Sequence, residues 1–295
     1  MSNASIPVLC LDDLAPGQRR ADAVQTLGEA LETFGFVAIT DHGVPEELLD
    51  NAYGRAQDLF ALPTEAKRAY EDAKNGRQRG YTSMGIEHAK DQPLGDLKEF
   101  WHVGRQSGDV VPNVEPAEVP AFTGTFNDLF IELDRVATTL LSSVGAYLEL
   151  PEGFFETFTE GGNSVLRVIH YPPLGGEVEP GAVRAAAHED INLITVLPVA
   201  TEPGLQLMTR EGAWIDVQTP PNVMVCDSGD MLQLFTGGRL RSTTHRVVNP
   251  PGDANRSRYS MPFFCHPHSN AVLQKDPEVL AGDFLMQRLR DIGVA

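Results

Sequence analysis

Basic residues are scarce in this chain. Only 23 Lys and Arg stand against 41 Asp and Glu, leaving a formal charge of −18 at pH 7. The overall field therefore repels nucleic acid and anionic membrane surfaces, and any anionic ligand must be held by local cations. Cysteine is equally sparse: Cys10, Cys226 and Cys265 are odd in number and lack CxxC spacing, which fits a reducing, cytoplasmic setting rather than a disulfide framework. No stretch approaches the roughly 18 apolar residues of a membrane-spanning helix. The opening MSNASIPVLCLDDL has no basic segment followed by a sustained apolar run, so neither membrane insertion nor secretion is expected. Fixed-period repeats and low-complexity tracts are also missing.

What is present is the composition of a chain able to bury a core, 42% hydrophobic and 22% charged over 295 residues. Residues 6–11 read as a strand. Val24, Leu27, Leu31 and Phe34 recur at helical spacing, so 21–34 reads as an amphipathic helix, ended by Gly35 and followed by an apolar strand over 36–40. Helices are expected over 45–59 and 64–70. Residues 72–120 are polar and rich in Gly and Pro, and read as long loops with brief strands near 80–81 and 100–103. From 126 to 148 the apolar positions follow the helical period for about six turns, giving a long helix that needs a large sheet or bundle to lie on.

After Pro151 the pattern changes to eight short strand-like runs, at 165–171, 192–198, 205–208, 214–217, 222–226, 231–235, 244–248 and 259–264, separated by turn residues. That cadence suggests a jelly roll or barrel. A final helix is expected over 277–289. The expectation is one mainly β catalytic domain, 1–295, with flanking helices: an N-terminal α/β support region (1–150), a jelly-roll core (151–270) and a C-terminal helix (271–295).

Chemistry concentrates in three places. Residues 187–192 read Ala-His-Glu-Asp-Ile-Asn and lead into an apolar strand, where residues two apart share a face. His188 and Asp190 are therefore expected to converge, with Glu189 pointing away. His245, with 54 residues intervening after Asp190, adds a third ligand. Two neutral imidazoles and one carboxylate on one face of an octahedral ion leave three positions open, which suits non-haem iron(II) activating oxygen. A closed structural zinc site wants four protein ligands, and Asn192 excludes HExxH. Arg258 and Ser260 share a strand face 13 residues beyond His245. A guanidinium takes a carboxylate in a two-pronged bond and a hydroxyl adds a third donor, so the pair reads as a clamp for a dicarboxylate.

These residues, His188-x-Asp190, His245-Arg246-Val247-Val248 and Arg258-x-Ser260, come with Ile6-Pro7-Val8, Gly35-Phe36, Asp41-His42-Gly43-Val44-Pro45 and Tyr171-Pro172-Pro173. Gly229-Asp230-Met231-Leu232 before Thr236-Gly237-Gly238 completes the set. On them the chain resembles the iron(II)/2-oxoglutarate-dependent oxygenases of the isopenicillin N synthase-like group, along nearly its whole length. The resemblance implies a double-stranded β-helix core, iron(II) on His188, Asp190 and His245, and the distal carboxylate of 2-oxoglutarate on Arg258 and Ser260, assisted by Tyr171. Plant members commonly read Asn-Tyr-Tyr-Pro where this chain has Ile169-His170-Tyr171-Pro172. The implied reaction consumes molecular oxygen, converts 2-oxoglutarate to succinate and carbon dioxide, and oxidises a small molecule, most commonly by hydroxylation. Neither the substrate nor the oligomeric state is specified.

Two other readings of the same residues stand beside this one: an iron oxidase whose Arg258 binds the substrate's own carboxylate, which forms no succinate, and a non-catalytic metal-binding jelly roll. Tyr81, Phe100, Trp101, Arg167 and Phe263 are candidates for substrate contact. His266 and His268 read as solvated loop histidines, and Cys226 and Cys265 as buried apolar residues rather than ligands.

Overall fold

The computed structural model describes residues 6–87, 94–106, 111–175, 181–218 and 220–291. Its N-terminal half runs β1 (Val8–Cys10), α1 (Arg20–Thr33), β2 (Phe36–Thr40), α2 (Glu46–Phe60), α3 (Thr64–Arg68), β3 (Gly80–Thr82), β4 (Glu99–Gly104) and α4 (Phe122–Tyr147). Parts of the expected loop region, 88–93 and 107–110, lie outside the described residues. The C-terminal half continues with α5 (Phe154–Thr159), β5 (Val165–Tyr171), β6 (Ala185–His188), β7 (Ile194–Leu197), β8 (Leu205–Met208), β9 (Trp214–Asp216), β10 (Met224–Ser228) and α6 (Asp230–Phe235). It ends with β11 (His245–Val247), β12 (Arg258–Ser260), β13 (Phe263–Cys265), β14 (Val272–Lys275), β15 (Glu278–Leu280) and α7 (Ala281–Asp291).

Two sheets make the jelly roll. The larger has nine strands in the order β1-β2-β10-β7-β13-β5-β4-β3, with β12 also paired to β5; the smaller has four, β6-β11-β8-β9. β2 is apolar through Phe36, Val37, Ala38 and Ile39 because both its faces are covered. It runs parallel to β1 and antiparallel to β10. α4 lies across β4, β7 and β13 and is flanked by α1 and α2. Leu129, Leu133, Val136, Ala137, Leu140 and Val144, one stripe at helical spacing, are all wholly buried there. No helix of the described residues is long and apolar enough to cross a membrane.

The connection from α1 to β2 shows how the support region braces the core. Gly35 adopts φ +68° after the last turn of α1, and a Cβ at that position would lie 2.3 Å from Thr243 Oγ1 and 2.6 Å from the Arg241 carbonyl. Only a glycine lets this turn press against the segment that carries His245.

Several local expectations change. α4 begins at Phe122 rather than 126, and α5 and the β14–β15 hairpin were not foreseen, the hairpin taking the first part of the expected C-terminal helix. Residues 231–235, read as a strand, are in α6, because the amide groups at its start find carbonyls to bond: Asp230 N–H donates to the Asp190 carbonyl at 2.7 Å and Met231 N–H to that of Ile191 at 3.2 Å. The single run at 259–264 is two strands on β5 in one continuing register, Arg258 opposite Tyr171 and Phe264 opposite Val165. Pro262 interrupts it, since its nitrogen carries no hydrogen.

Leu133 in the middle of α4 is wholly buried. Leu133→Ala should lower unfolding stability by about 2–5 kcal/mol, read as a fall in the urea midpoint with the slope unchanged.

Candidate active site

The two imidazoles are set by one strand pairing. β6 and β11 run antiparallel with His188 directly opposite His245, and their ring centroids lie 4.4 Å apart. His188 Nδ1 faces the Ala186 carbonyl at 2.7 Å and His245 Nδ1 faces that of Thr243 at 3.1 Å. A carbonyl only accepts, so both Nδ1 atoms carry the proton and both Nε2 atoms keep a lone pair. Burial, together with the neighbouring His188, lowers the pKa of His245 and favours that neutral form.

Asp190 does not share the strand with His188 as expected. β6 stops at His188 and Asp190 sits in the turn that follows, whose backbone is held by the α6 amides described above. Its Oδ1 lies 3.9 Å from His188 Nε2 and 3.7 Å from His245 Nε2. Its Oδ2 accepts a short hydrogen bond from the Thr195 hydroxyl, which in turn accepts one from Asn192 Nδ2 at 2.9 Å. Among the described residues, His188, Asp190 and His245 form one group whose ligand atoms all lie within 4.8 Å of one another. Glu189 is exposed and takes the Thr244 hydroxyl instead.

A cavity of about 300 Å³ opens beside this group, with a smaller pocket adjoining it; both are lined by Lys98, Arg167, His188, Asp190 and Phe264. In the smaller pocket Arg258 is 2% exposed, and its Nε donates to the Glu202 carbonyl at 3.0 Å. Its Nη1 has no protein partner, and no carboxylate of the described residues forms an ion pair with it. Tyr171, opposite it in register, places its ring 5.1 Å from the guanidinium carbon. Ser260 lines the same pocket.

The larger cavity has a charged wall. Glu87 is held between Lys98 Nζ and Arg167 Nη1, each at 2.8 Å, and Lys98 also pairs with Asp96 at 2.7 Å. Although burial opposes it, the Arg167 and Lys98 charges keep Glu87 far below the usual carboxylate range. Arg167 Nε donates to His102 Nε2 at 2.7 Å, so His102 is neutral and its Nδ1–H donates to the Arg77 carbonyl at 2.8 Å. Burial and the Arg167 charge push its pKa down to about 3.

Of the residues expected to meet substrate, Arg167 lines the cavity. The others do not. Tyr81 is buried with its hydroxyl on Glu99, which also holds Lys67 at 2.7 Å. Trp101 is wholly buried with its ring centroid 5.3 Å from that of Phe122. Phe263 packs edge-on to Phe130 at 5.0 Å, and Phe100 lies behind Arg167, its ring 4.2 Å from the guanidinium. For Tyr81, Trp101 and Phe263 the reason is strand parity, since Trp101 pairs with Tyr81 and Val168 and Phe263 with Leu166, whereas Phe100 faces inward opposite Ile169 and is covered by Arg167. On β5 Val165, Arg167, Ile169 and Tyr171 face inward, and beyond Arg258 and Ser260 the same alternation continues to Pro262, Phe264 and His266.

That alternation was the signal for Phe264 and His266. His266 is not a solvated loop residue: it is 9% exposed and lines the cavity. Thr195 and Asp227, opposite one another on β7 and β10, had no signal in the sequence. Burial, and then the charge of Asp190, pushes the Asp227 carboxyl well above the usual range.

The comparisons with known proteins agree with this geometry. Residues 162–267 match the family model of the 2OG-Fe(II) oxygenase superfamily, and residues 6–122 match that of the non-haem dioxygenase in morphine synthesis N-terminal region. The 2-oxoglutarate-Fe(II) type oxidoreductase hxnY of Emericella nidulans is 32% identical over 264 residues, 84% of this chain and 75% of that protein. The chain belongs to the 2OG-Fe(II) oxygenase superfamily. A solved member from Caulobacter crescentus is 37% identical with a TM-score of 0.86, over 99% of this chain and 100% of that one. A full-length Neurospora crassa protein solved in complex with alpha-KG is 25% identical with a TM-score of 0.88, over 98% of this chain and 97% of that one. The oxygenase is thus a mainly β enzyme that uses iron(II), 2-oxoglutarate and molecular oxygen to oxidise a small molecule.

Thr195→Val keeps the shape of the side chain and removes the hydrogen bond to Asp190. It should weaken iron(II) binding at least tenfold, measured by anaerobic calorimetry; unchanged affinity would show that Asp190 needs no such support.

Proposed function

We propose that His188, Asp190 and His245 hold the iron(II), and that Arg258, with Ser260 and Tyr171, takes the distal carboxylate of 2-oxoglutarate. The observation that carries the second assignment is the state of Arg258. A guanidinium buried to 2% exposure without a carboxylate partner among the described residues costs several kcal/mol unless an anion joins it. The pocket in front of it also contains His188, Asp190 and His245, so one small dicarboxylate can reach both.

The metal assignment rests on the donor set. Two lone pairs on Nε2 and one carboxylate oxygen suit an octahedral iron(II) and leave three positions for other ligands. When bound, the iron supplies the redox chemistry that couples decarboxylation of 2-oxoglutarate to oxidation of the substrate, and we assign hydroxylation as the outcome. The chain's own residues do the positioning. Thr195 occupies Oδ2 of Asp190, so only Oδ1 is turned toward the imidazoles, which favours one-oxygen ligation and keeps neighbouring positions open. The carbonyls of Ala186 and Thr243 fix the tautomers. Phe264 and Ile169 line the pocket with apolar surface and limit water there. Arg167 faces the larger cavity, where the substrate binds in this reading. The free Cys10, Cys226 and Cys265 support a cytoplasmic setting.

Anaerobic titration of the iron(II)-loaded protein with 2-oxoglutarate should produce the visible band of the chelate. In Arg258→Ala the midpoint should move at least tenfold higher while iron binding is unchanged; an unmoved midpoint would reject the clamp. His188→Ala and Asp190→Ala should abolish iron-dependent release of succinate, and Glu189→Ala should leave it nearly intact. Full turnover by Asp190→Ala would show the metal assignment to be wrong.

A further inference from the structure

The cavity beside the proposed metal site has a distinctive charge state. Each cation lining it already has a carboxylate: Lys98 has Glu87 and Asp96, Arg167 has Glu87, and Arg288 has Asp230 at 2.8 Å. An anionic substrate finds no vacant cation here, in contrast to the adjoining pocket with Arg258. Of the carboxylates around it, Glu87, Asp96 and Asp230 are already paired with these cations, while Glu189 accepts the Thr244 hydroxyl and Asp291 the Gln287 amide.

Among the neutral and fixed groups of the same wall are an acceptor on His266 and a donor on Arg167. His266 is 9% exposed and lines the cavity, and its Nδ1 lies 3.2 Å from the Phe264 carbonyl. Nδ1 therefore carries the proton, and Nε2 is left as an acceptor with no hydrogen-bond partner among the described residues. Burial keeps the ring neutral, its pKa down at about 4. Gly162 seats this histidine, because a Cβ there would lie 2.2 Å from the His266 carbonyl.

Arg167 supplies the donor. Its Nε is used by His102 and its Nη1 by Glu87, while Nη2 has no hydrogen-bond partner among the described residues. The guanidinium cannot swing, because it lies between the rings of Phe100 at 4.2 Å and Phe264 at 5.3 Å. Val165, Ile191, Phe264 and Leu285 complete the lining with apolar surface.

We propose that this cavity selects an uncharged amide-type substrate, a lactam, cyclic imide or related heterocycle, whose N–H donates to His266 Nε2 and whose neighbouring carbonyl accepts from Arg167 Nη2. The proposal rests on the assignment of the iron and 2-oxoglutarate sites above, since it places the substrate beside them. His266 is a specificity-determining residue in this arrangement and takes no part in holding the metal or the co-substrate.

The test uses the anaerobic iron(II)–2-oxoglutarate protein and one ring in three forms: uracil, 1,3-dimethyluracil, which lacks the N–H, and orotate, which adds a carboxylate. δ-Valerolactam and its N-methyl derivative serve as a second pair. Binding is read as the perturbation of the chelate's visible band. Uracil or the lactam should bind at least tenfold tighter than its methylated or anionic counterpart, the factor a single neutral hydrogen bond supplies. His266→Phe should erase that preference and His266→Gln, which retains an acceptor oxygen, should restore part of it, with the 2-oxoglutarate midpoint unchanged in both.

Equal binding within each set, failure of every N–H compound to bind while the band is present, or persistence of the preference in His266→Phe would overturn the proposal. Absence of the band in the unmodified protein would count against the cofactor sites instead, and calorimetry of the same compounds with the metal-free protein would then decide the His266 contact.

Discussion

The site depends on the pairing of His188 against His245 across β6 and β11. Opposed residues on neighbouring strands have little freedom in separation or direction, so two of the three proposed ligands are placed by backbone hydrogen bonds alone. The third cannot come from the same pair. Asp190 stands in the passage from the small sheet to the large one, and its free oxygen is tied to Thr195 on β7. The proposed ligation would therefore join the two sheets at their seam, with the two histidines in the small sheet and the aspartate in the passage to the large one.

The same seam separates two kinds of cation in an otherwise acidic chain. Arg258 is buried without a carboxylate partner among the described residues, a state that would favour an anion entering its pocket. Lys98, buried, and Arg167, half-buried, stand with theirs and form a polar but balanced wall. Two cavities that share lining residues would in this way hold ligands of different electrostatic character without confusion between them, in the proposed reading the dicarboxylate on one side and a neutral molecule on the other.

Much of this was legible in the residues. The grouping of His188, Asp190 and His245 and the shared pocket of Arg258 and Ser260 were readable because the chemistry proposed for them demands particular side chains at particular separations. The apolar stripe of the long helix was readable because burial imposes its period. Other features depend on contacts distant in sequence. The run at 231–235 is equally apolar as a strand or a helix, and the carbonyls of 190–191 decide between them. Phe263 and Phe264 are chemically the same, so only the inward parity of Arg258, carried past Pro262, tells which ring faces the cavity. Trp101 and His102 differ in the same way, and the bond from Arg167 to His102 marks the inward one. The largely shielded ion group of Glu87, Lys98 and Arg167 joins three separate segments and has no local signature.

α6 is a helix of only six residues, yet it answers to both ends of the active-site architecture. Its first amides hold the turn that carries Asp190, and Asp230 in that same turn of helix binds Arg288 of α7 at 2.8 Å. α7 packs Phe284 and Leu285 on the core, and this ion pair adds a direct link from it to α6. A load applied to the C-terminus, by a fused tag, a protease or immobilisation on a support, is delivered to the element beneath the metal-binding turn.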